Sequence, residues 1–389
     1  MHKLGPGRPH NSTRPRTGPS HRPPTRLLFV GLCVLALPAC SPEPFGAVAT
    51  PLGILPQSPR IQGRDGGQSG RVWGHSVWTF GDTVLNEVDE AGDNWHHNSF
   101  SITDDGDARD GISGFVERSD SVGAPRYLLP PTADEAAFNA EHHGSPCKTA
   151  PCQARYAVWP GRPVWDALRS RALIPYGLIY AEPGDFNFRG VGQSIAVWRD
   201  FSAFPERPVV APGTPHPTVM FGPDEPPWGT AAVIDEGASP SVLHLFGCDS
   251  NQSGLHPPCY LARVDPARVL DRSAWQFWDG SDWSPGGRKS LFSGAPSMTV
   301  AWNAHMDRWT AIYCEPLSNR VVVRTAAALS GPWSDARLLF EASKDPAGAY
   351  DANWHPEFDH DNVLYITYSR SNHVGWFGSE FVLTRVDLP

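Results

Sequence analysis

Proline and glycine interrupt the whole chain too often for long helices. The 389 residues include 40 prolines and 37 glycines, both of which disfavour helix interiors. Between them lie short runs rich in β-branched and aromatic residues, as is typical of β-strands. The sequence therefore predicts an all-β protein with short helices near 133–141 and 266–272. The clearest strand-like runs are at 76–80, 176–180, 194–198, 242–246, 308–313, 320–324 and 362–368.

The strand-like runs recur at a spacing close to the length of one propeller blade. Equivalent runs at Trp309 and Leu364 are 364 − 309 = 55 residues apart. Three copies of the unit fall in the second half of the chain, and residues 60–104 and 155–200 supply two more. This pattern predicts a five-bladed β-propeller, and a two-sheet β-sandwich is the alternative.

The first 39 residues have the features of an export signal. Residues 1–26 are basic and lack acidic side chains, and the apolar run at 27–36 is too short to span a bilayer. The sequence Leu-Pro-Ala-Cys ending at Cys40 resembles a bacterial lipobox, which predicts acylation of Cys40, with plain secretion as the alternative. The predicted location is therefore outside the cytoplasm, either lipid-anchored in the bacterial cell envelope or secreted. The predicted organisation is a signal peptide at 1–39, a linker at 40–57 and one propeller domain at 58–389 with a loop insertion around 105–154.

The charge of the exported part restricts its partners. Residues 1–39 contain six of the 32 basic residues and none of the 41 acidic ones, which leaves 26 − 41 = −15. Nucleic acid and anionic lipid require a basic surface. We therefore expect a glycan or another neutral or cationic partner, membrane contact only through a lipid anchor, and a monomer.

Four of the seven cysteines form two local pairs. Cys147 and Cys152 lie in a proline-containing loop, and Cys248 and Cys259 flank a polar loop. In an oxidising compartment this spacing predicts two disulfides. Cys314 lies in a strand-like run and is predicted to be a buried free thiol.

Several motifs along residues 58–388 resemble a known family, the domain-of-unknown-function family 4185. The resemblance implies an exported bacterial five-bladed propeller. Some members of that family act as endo-D-arabinanases on the arabinofuranose polymers of mycobacterial cell walls. The implied function is therefore a glycoside hydrolase acting on a furanose-containing or other cell-wall polysaccharide. A surface lipoprotein that binds a glycan or a protein without catalysis is the alternative. The motifs are GRDGG, VWTFGDT, HHNSFSIT, PYGLIYAE, GQSIAVW, ALSGPW, HPEF and LYITYSR.

Asp65 and Asp82 are the candidate catalytic pair. A glycosidase needs one carboxyl group to protonate the leaving oxygen and a second to activate water or attack the sugar. Asp65 stands before two glycines, which allow close ligand approach, where the first inner strand is expected to begin. Asp82 ends the next strand. Antiparallel neighbours bring these two positions together, so we expect both carboxylates at one end of the first blade. The alternative is that each aspartate caps a turn.

Further candidates lie around the proposed mouth of the propeller. Glu315, at a strand end in the fourth blade, is a third candidate acid, with a surface turn as the alternative. His355 would line the funnel, or else be a core histidine with satisfied hydrogen bonds. Of the 15 tryptophans, Trp73, Trp95 and Trp354 are expected nearest the mouth. The predicted substrate-binding residues are Arg64, His97, Asn98, Trp354 and His355.

No metal or cofactor is predicted for catalysis. The acidic stretch 104–110 differs from an EF-hand loop, because Val116 occupies the position that requires glutamate. We interpret this stretch as a solvated turn, which leaves structural calcium as the alternative.

Overall fold

The computed structural model describes residues 42–143, 146–184, 187–249, 256–342 and 348–389. Cys40 and the predicted signal peptide lie outside these ranges, so lipidation stays a prediction. Within the described residues the chain forms five small antiparallel sheets, arranged as a five-bladed β-propeller. The predicted fold is confirmed, and the sandwich alternative is wrong.

The chain enters the propeller through β1 (Val48–Ile54), a strand of the last blade. Blade 1 contains β2 (Ile61–Val72), β3 (His75–Leu85), β4 (Trp95–His96) and β5 (Ser99–Thr103). Blade 2 contains β6 (Arg155–Pro160), β7 (Val164–Asp166), β8 (Arg171–Ala181) and β9 (Phe188–Trp198). Blade 3 contains β10 (Ala231–Asp235), β11 (Val242–Cys248), β12 (Pro258–Val264), β13 (Gln276–Trp278), β14 (Trp283–Ser284) and β15 (Phe292–Ser293). Blade 4 contains β16 (Thr299–Asn303), β17 (Arg308–Cys314), β18 (Arg320–Ala326) and β19 (Arg337–Glu341). Blade 5 contains β20 (Ala349–Trp354), β21 (Val363–Ser371) and β22 (Ser379–Asp387).

The two ends of the described chain close the ring. β1 pairs antiparallel with β22, so residues from near both ends share blade 5. The segment 40–57, predicted as a linker, therefore contains a strand of the propeller. The sequence pattern concealed this strand because β1 is an outer strand with Pro51 and Gly53, and most of its residues are exposed.

The hydrophobic core is divided among the blade interfaces. Each of the five larger apolar clusters combines residues of two neighbouring blades. Both faces of a blade are therefore covered, which explains why β3 is buried almost without alternation. The inner strands run from one face of the ring to the other, and their N-terminal ends share one face.

The expected insertion carries the longest helix of the described chain. This helix, α1 (Ala133–His142), begins with a capping box between Thr132 and Glu135. No helix among the described residues is both long enough and apolar enough to cross a membrane. Four short 3₁₀ helices cover Ala167–Arg169, Pro266–Arg268, Arg272–Ala274 and Pro356–Phe358.

Both predicted disulfides are present. One joins Cys147 to Cys152, and the other joins Cys248 to Cys259 across β11 and β12. Cys314 is a buried free thiol, as predicted. Two disulfides are typical of a protein that folds in an oxidising compartment.

Candidate active site

Asp65 lies in an irregular part of the innermost strand of blade 1. The β2–β3 register shifts on both sides of Gly66, and Gly66 and Gly67 have φ angles of +84° and +79°. Bulges of this kind turn a side chain out of the regular alternation. The backbone N–H groups of Asp65 and Asp82 lie close enough to the Asp65 carboxylate to offset part of the rise in its pKa. The structure therefore brings Asp65 and Asp82 together, as the sequence predicted.

Asp82 is held by a cation and flanked by two indoles. Its Oδ1 accepts a hydrogen bond of 3.0 Å from Nε1 of Trp95 and lies 3.4 Å from the Arg155 guanidinium. Arg155 in turn covers the Trp95 ring at 3.5 Å from its centroid. The indole N–H of Trp159 lies close enough to lower the pKa of Asp82, although it makes no hydrogen bond of ordinary geometry within the described residues.

Asp351, on the innermost strand of blade 5, is a third carboxylate that the sequence analysis missed. Its Oδ2 accepts the Gly66 N–H at 3.0 Å, which ties blade 5 to the bulge beside Asp65. The φ of Asp351 is +49°, an uncommon conformation for a residue other than glycine and one often found at functional sites. No glycine or turn motif marks this position in the sequence. Comparing the early residues of the inner strands of blades 1 and 5 would have found it.

The three carboxyl groups favour a shared proton. Burial raises the pKa of Asp65 well above its ordinary value, and the charges of Asp82 and Asp351 raise it further. Burial raises the pKa of Asp351 to about 6, against the lowering effect of the Gly66 N–H. Burial also raises the pKa of Asp82, but Arg155 and the indole hydrogen bonds offset part of this change. Asp65 is therefore placed to hold a proton, and Asp82 is the better stabilised as a carboxylate.

Gly81 provides the space that the Asp65 carboxylate occupies. A Cβ atom at Gly81 would lie 2.3 Å from Oδ1 of Asp65, which is closer than real contacts allow. Gly81→Ala should therefore displace the carboxylate. On the sequence-based expectation of a glycoside hydrolase, it should lower glycan hydrolysis about 100-fold, a typical cost of a misplacement near 1 Å. The measurement is the initial rate of reducing-sugar release. Gly222→Ala is the matched control, because nothing lies within 4 Å of its added methyl group. Equal rates for the two variants would contradict this role.

Arg64 and Asn98, both predicted to bind substrate, are structural instead. Arg64 is 2% exposed, pairs with Glu117 at 2.9 Å and lies over the Phe80 ring. Asn98 is fully buried, and its amide hydrogen-bonds backbone groups of residues 128, 129 and 158. Asn98 thus fixes the insertion against blades 1 and 2. Both side chains are held by partners within the protein, so the structure gives no support for their predicted contact with substrate.

The three aromatic candidates are also buried. His97 is 4% exposed and packs on Tyr127, and burial lowers its pKa to about 3. His355 is fully buried and bonds Ser69 and Thr367 through its two ring nitrogens, so the core-histidine interpretation holds. Trp354 is fully buried between blades 4 and 5. The structure thus encloses all three side chains, and their contact with substrate stays a prediction without support from their burial.

Glu315 and Trp73 make hydrogen-bond and ring contacts, respectively, with residues outside the carboxylate cluster. Glu315 accepts a hydrogen bond of 2.7 Å from Arg320 across the turn after β17, as in the surface-turn interpretation. Trp73 follows the far end of β2 and packs against Trp165 and Trp198. Across the described ranges, no cluster of three or more His, Cys, Asp or Glu side chains has an arrangement suited to a metal ion.

The fold is that of a five-bladed propeller, with Asp65 and Asp351 on the innermost strands of two neighbouring blades and Asp82 on the strand beside Asp65. A Bacteroides ovatus ATCC 8483 protein to which a hydrolase function has been attributed has a similar structure. It is 14% identical with a TM-score of 0.57, and the match covers 90% of this chain and 93% of that one. An α-L-arabinofuranosidase from Podospora anserina is 12% identical with a TM-score of 0.46, over 90% and 99% of the two chains. An exo-β-1,3-galactanase from Phanerochaete chrysosporium is 11% identical with a TM-score of 0.46, over 87% and 63%.

The match found by sequence covers a shorter part of the chain than the structural matches do. Residues 217–377 match the model of a domain of unknown function, DUF4185, which confirms the family resemblance. Asp351 lies within the matched segment, and Asp65 and Asp82 precede it. No curated protein matches the chain.

Proposed function

We propose that this protein is an exported glycoside hydrolase that acts on a cell-wall polysaccharide, with endo-D-arabinanase activity as the most specific form. The observation that carries the proposal is the cluster of Asp65, Asp82 and Asp351, which blades 1 and 5 bring together. The two disulfides fit export, while attachment through an acylated Cys40 rests on the sequence motif alone.

The different environments of the carboxyl groups define their roles. Glycoside hydrolysis needs a protonated carboxyl group and an ionised one on either side of the scissile bond. Asp65 has the more strongly raised pKa and donates the proton to the leaving oxygen. Asp82, stabilised by Arg155 and Trp95, activates water or attacks the anomeric carbon. Asp351 keeps the pKa of Asp65 high through its negative charge and holds the bulge at Gly66.

A panel of polysaccharides tests the activity. The purified mature protein is incubated with arabinan, arabinogalactan and other plant and bacterial cell-wall polysaccharides, and released oligosaccharides are separated by size. We expect products from at least one furanose-containing polymer and at least about 100-fold slower release by the Asp65→Asn variant. Binding to a polymer without release of products would instead support the non-catalytic glycan-binding alternative.

Asp351→Asn should shift the pH dependence of hydrolysis. Removing the negative charge lowers the pKa of Asp65, so the alkaline limb of the rate profile should move to lower pH. The variant should remain folded. The pKa of Asp351 is about 6 in the folded chain, above the ordinary 3.8, so its contribution to stability falls as pH rises through this range. The Asp351→Asn variant lacks this one contribution. The measurement is kcat/KM from pH 4 to 9, together with thermal unfolding. An unchanged alkaline limb would contradict the coupling.

A further inference from the structure

Two exposed aromatic rings extend outward from the carboxylate site. Trp376 is 65% exposed and packs against Trp95 with the ring centroids 5.0 Å apart. Phe188 is 48% exposed and packs against Trp159 at 5.1 Å. The inner ring of each pair is an indole that lies beside Asp82. We call the Trp95–Trp376 pair the blade-5 arm and the Trp159–Phe188 pair the blade-2 arm.

The order of the blades places the arms on opposite sides of the carboxylates. Trp376 lies in the loop between β21 and β22 of blade 5, and Phe188 begins β9 of blade 2. Blades 5 and 2 are the two neighbours of blade 1, which carries Asp65 and Asp82, and each shares a hydrophobic interface with it. Because Trp95 and Trp159 both lie beside Asp82, a linear ligand that contacts both arms passes close to that carboxylate.

The exposure of these rings indicates a ligand with apolar faces. Leaving an indole and a phenyl ring in water forgoes the stabilisation that burial of either ring would give. Saccharide rings have C–H faces that cover an aromatic ring, and their hydroxyl groups stay hydrated. Three carboxylates at the centre, and a net charge of −15 for residues 40–389, disfavour a polyanion.

We propose that the two arms bind sugar units on both sides of the cleaved bond, so that the site accepts an interior segment of a neutral glycan chain. This inference rests on the proposed function only in that a bond between the arms is cleaved. The binding itself does not require hydrolysis. Trp376 and Phe188 are then specificity-determining residues, and loss of either ring should weaken binding without removing the catalytic groups.

The test separates binding from catalysis. Asp65→Asn protein, with and without Trp376→Ala or Phe188→Ala, is run in native gels that contain arabinan, arabinogalactan or polygalacturonate. Each ring deletion should weaken retention by a neutral glycan about three- to tenfold, the range expected for one aromatic contact, with unchanged thermal unfolding. Trp302→Ala is the matched control. Trp302 is 44% exposed, but it lies near the C-terminal end of β16, the inner strand of blade 4. In otherwise unmodified protein, each ring deletion should raise KM more than it lowers kcat.

The outcomes distinguish this inference from the proposed function. Retention that depends on both rings, without any hydrolysis by the unmodified protein, would support the arms and reject the enzyme. Hydrolysis with both ring variants behaving like Trp302→Ala would support the enzyme and overturn the arms. Stronger retention by polygalacturonate than by the neutral glycans, or retention by no neutral glycan, would also overturn the inference.

Discussion

Asp65→Asn should lower the rate of glycan hydrolysis by about 10²- to 10⁴-fold, the usual contribution of a positioned general acid. The amide keeps the size of the side chain but has no proton to give to the leaving oxygen. Because the carboxyl group lies between Gly81 and the Asp82 backbone N–H, the substitution should leave the strand pairing of β2 and β3 in place.

The measurement is kcat/KM on the best polymer of the panel, with glycan retention in native gels as the check on binding. Asp224→Asn, an exposed aspartate in the loop between blades 2 and 3, is the matched control. We expect retention to persist while turnover is lost. Undiminished turnover in Asp65→Asn would remove Asp65 from the mechanism.

Trp354→Ala should lower the free energy of unfolding by about 3–5 kcal/mol, the cost of removing a large aromatic side chain from a core. The indole is fully buried in the interface of blades 4 and 5, and its Nε1 donates to both oxygens of Asp359 at 2.9 Å. The measurement is urea unfolding followed by circular dichroism.

Trp376→Ala is the matched control for this stability effect. Its ring is 65% exposed, so its loss should change the unfolding free energy by no more than about 0.5 kcal/mol. The two substitutions should therefore have different effects. Loss of Trp354 should lower stability, and loss of Trp376 should weaken glycan binding. The reverse result, a stable Trp354→Ala protein that fails to bind glycan, would restore the original sequence-based interpretation of Trp354.

The sequence was sufficient for the fold because strand composition and blade spacing are local properties. The runs at 308–313 and 320–324 became β17 and β18, and the count of five repeating units gave the number of blades. The closing strand β1 was missed because its partner, β22, is more than 300 residues away and its own pattern is that of an exposed edge. Long-range pairing of this kind leaves no local signal.

The site was predictable only where two signals coincided. Asp65 and Asp82 are acids at nearly facing positions of adjacent strands, and antiparallel pairing brings their backbones close together. Arg64, Asn98 and His355 had suitable chemistry but point into the protein, since bulges and blade packing decide their direction. Asp351 is the opposite case, because it belongs to the carboxylate cluster but was not predicted from the sequence. Its positive φ and the bulge after Tyr350 turn it toward Gly66, and neither feature is marked by a glycine or proline.

The most direct test of a proton-sharing carboxylate cluster is a titration of the aspartate carboxyl carbons by NMR. Carboxyl-labelled protein and the variants Asp65→Asn, Asp82→Asn and Asp351→Asn are followed from pH 3 to 9. Asp359→Asn is included, because burial raises the pKa of that separate carboxyl group to about 8. We predict that Asp351 titrates near pH 6, that Asp65 titrates well above its ordinary range, and that Asp65→Asn shifts the titration of its partners. Titration of all three near pH 3.8, with no mutual effect of the substitutions, would contradict the account.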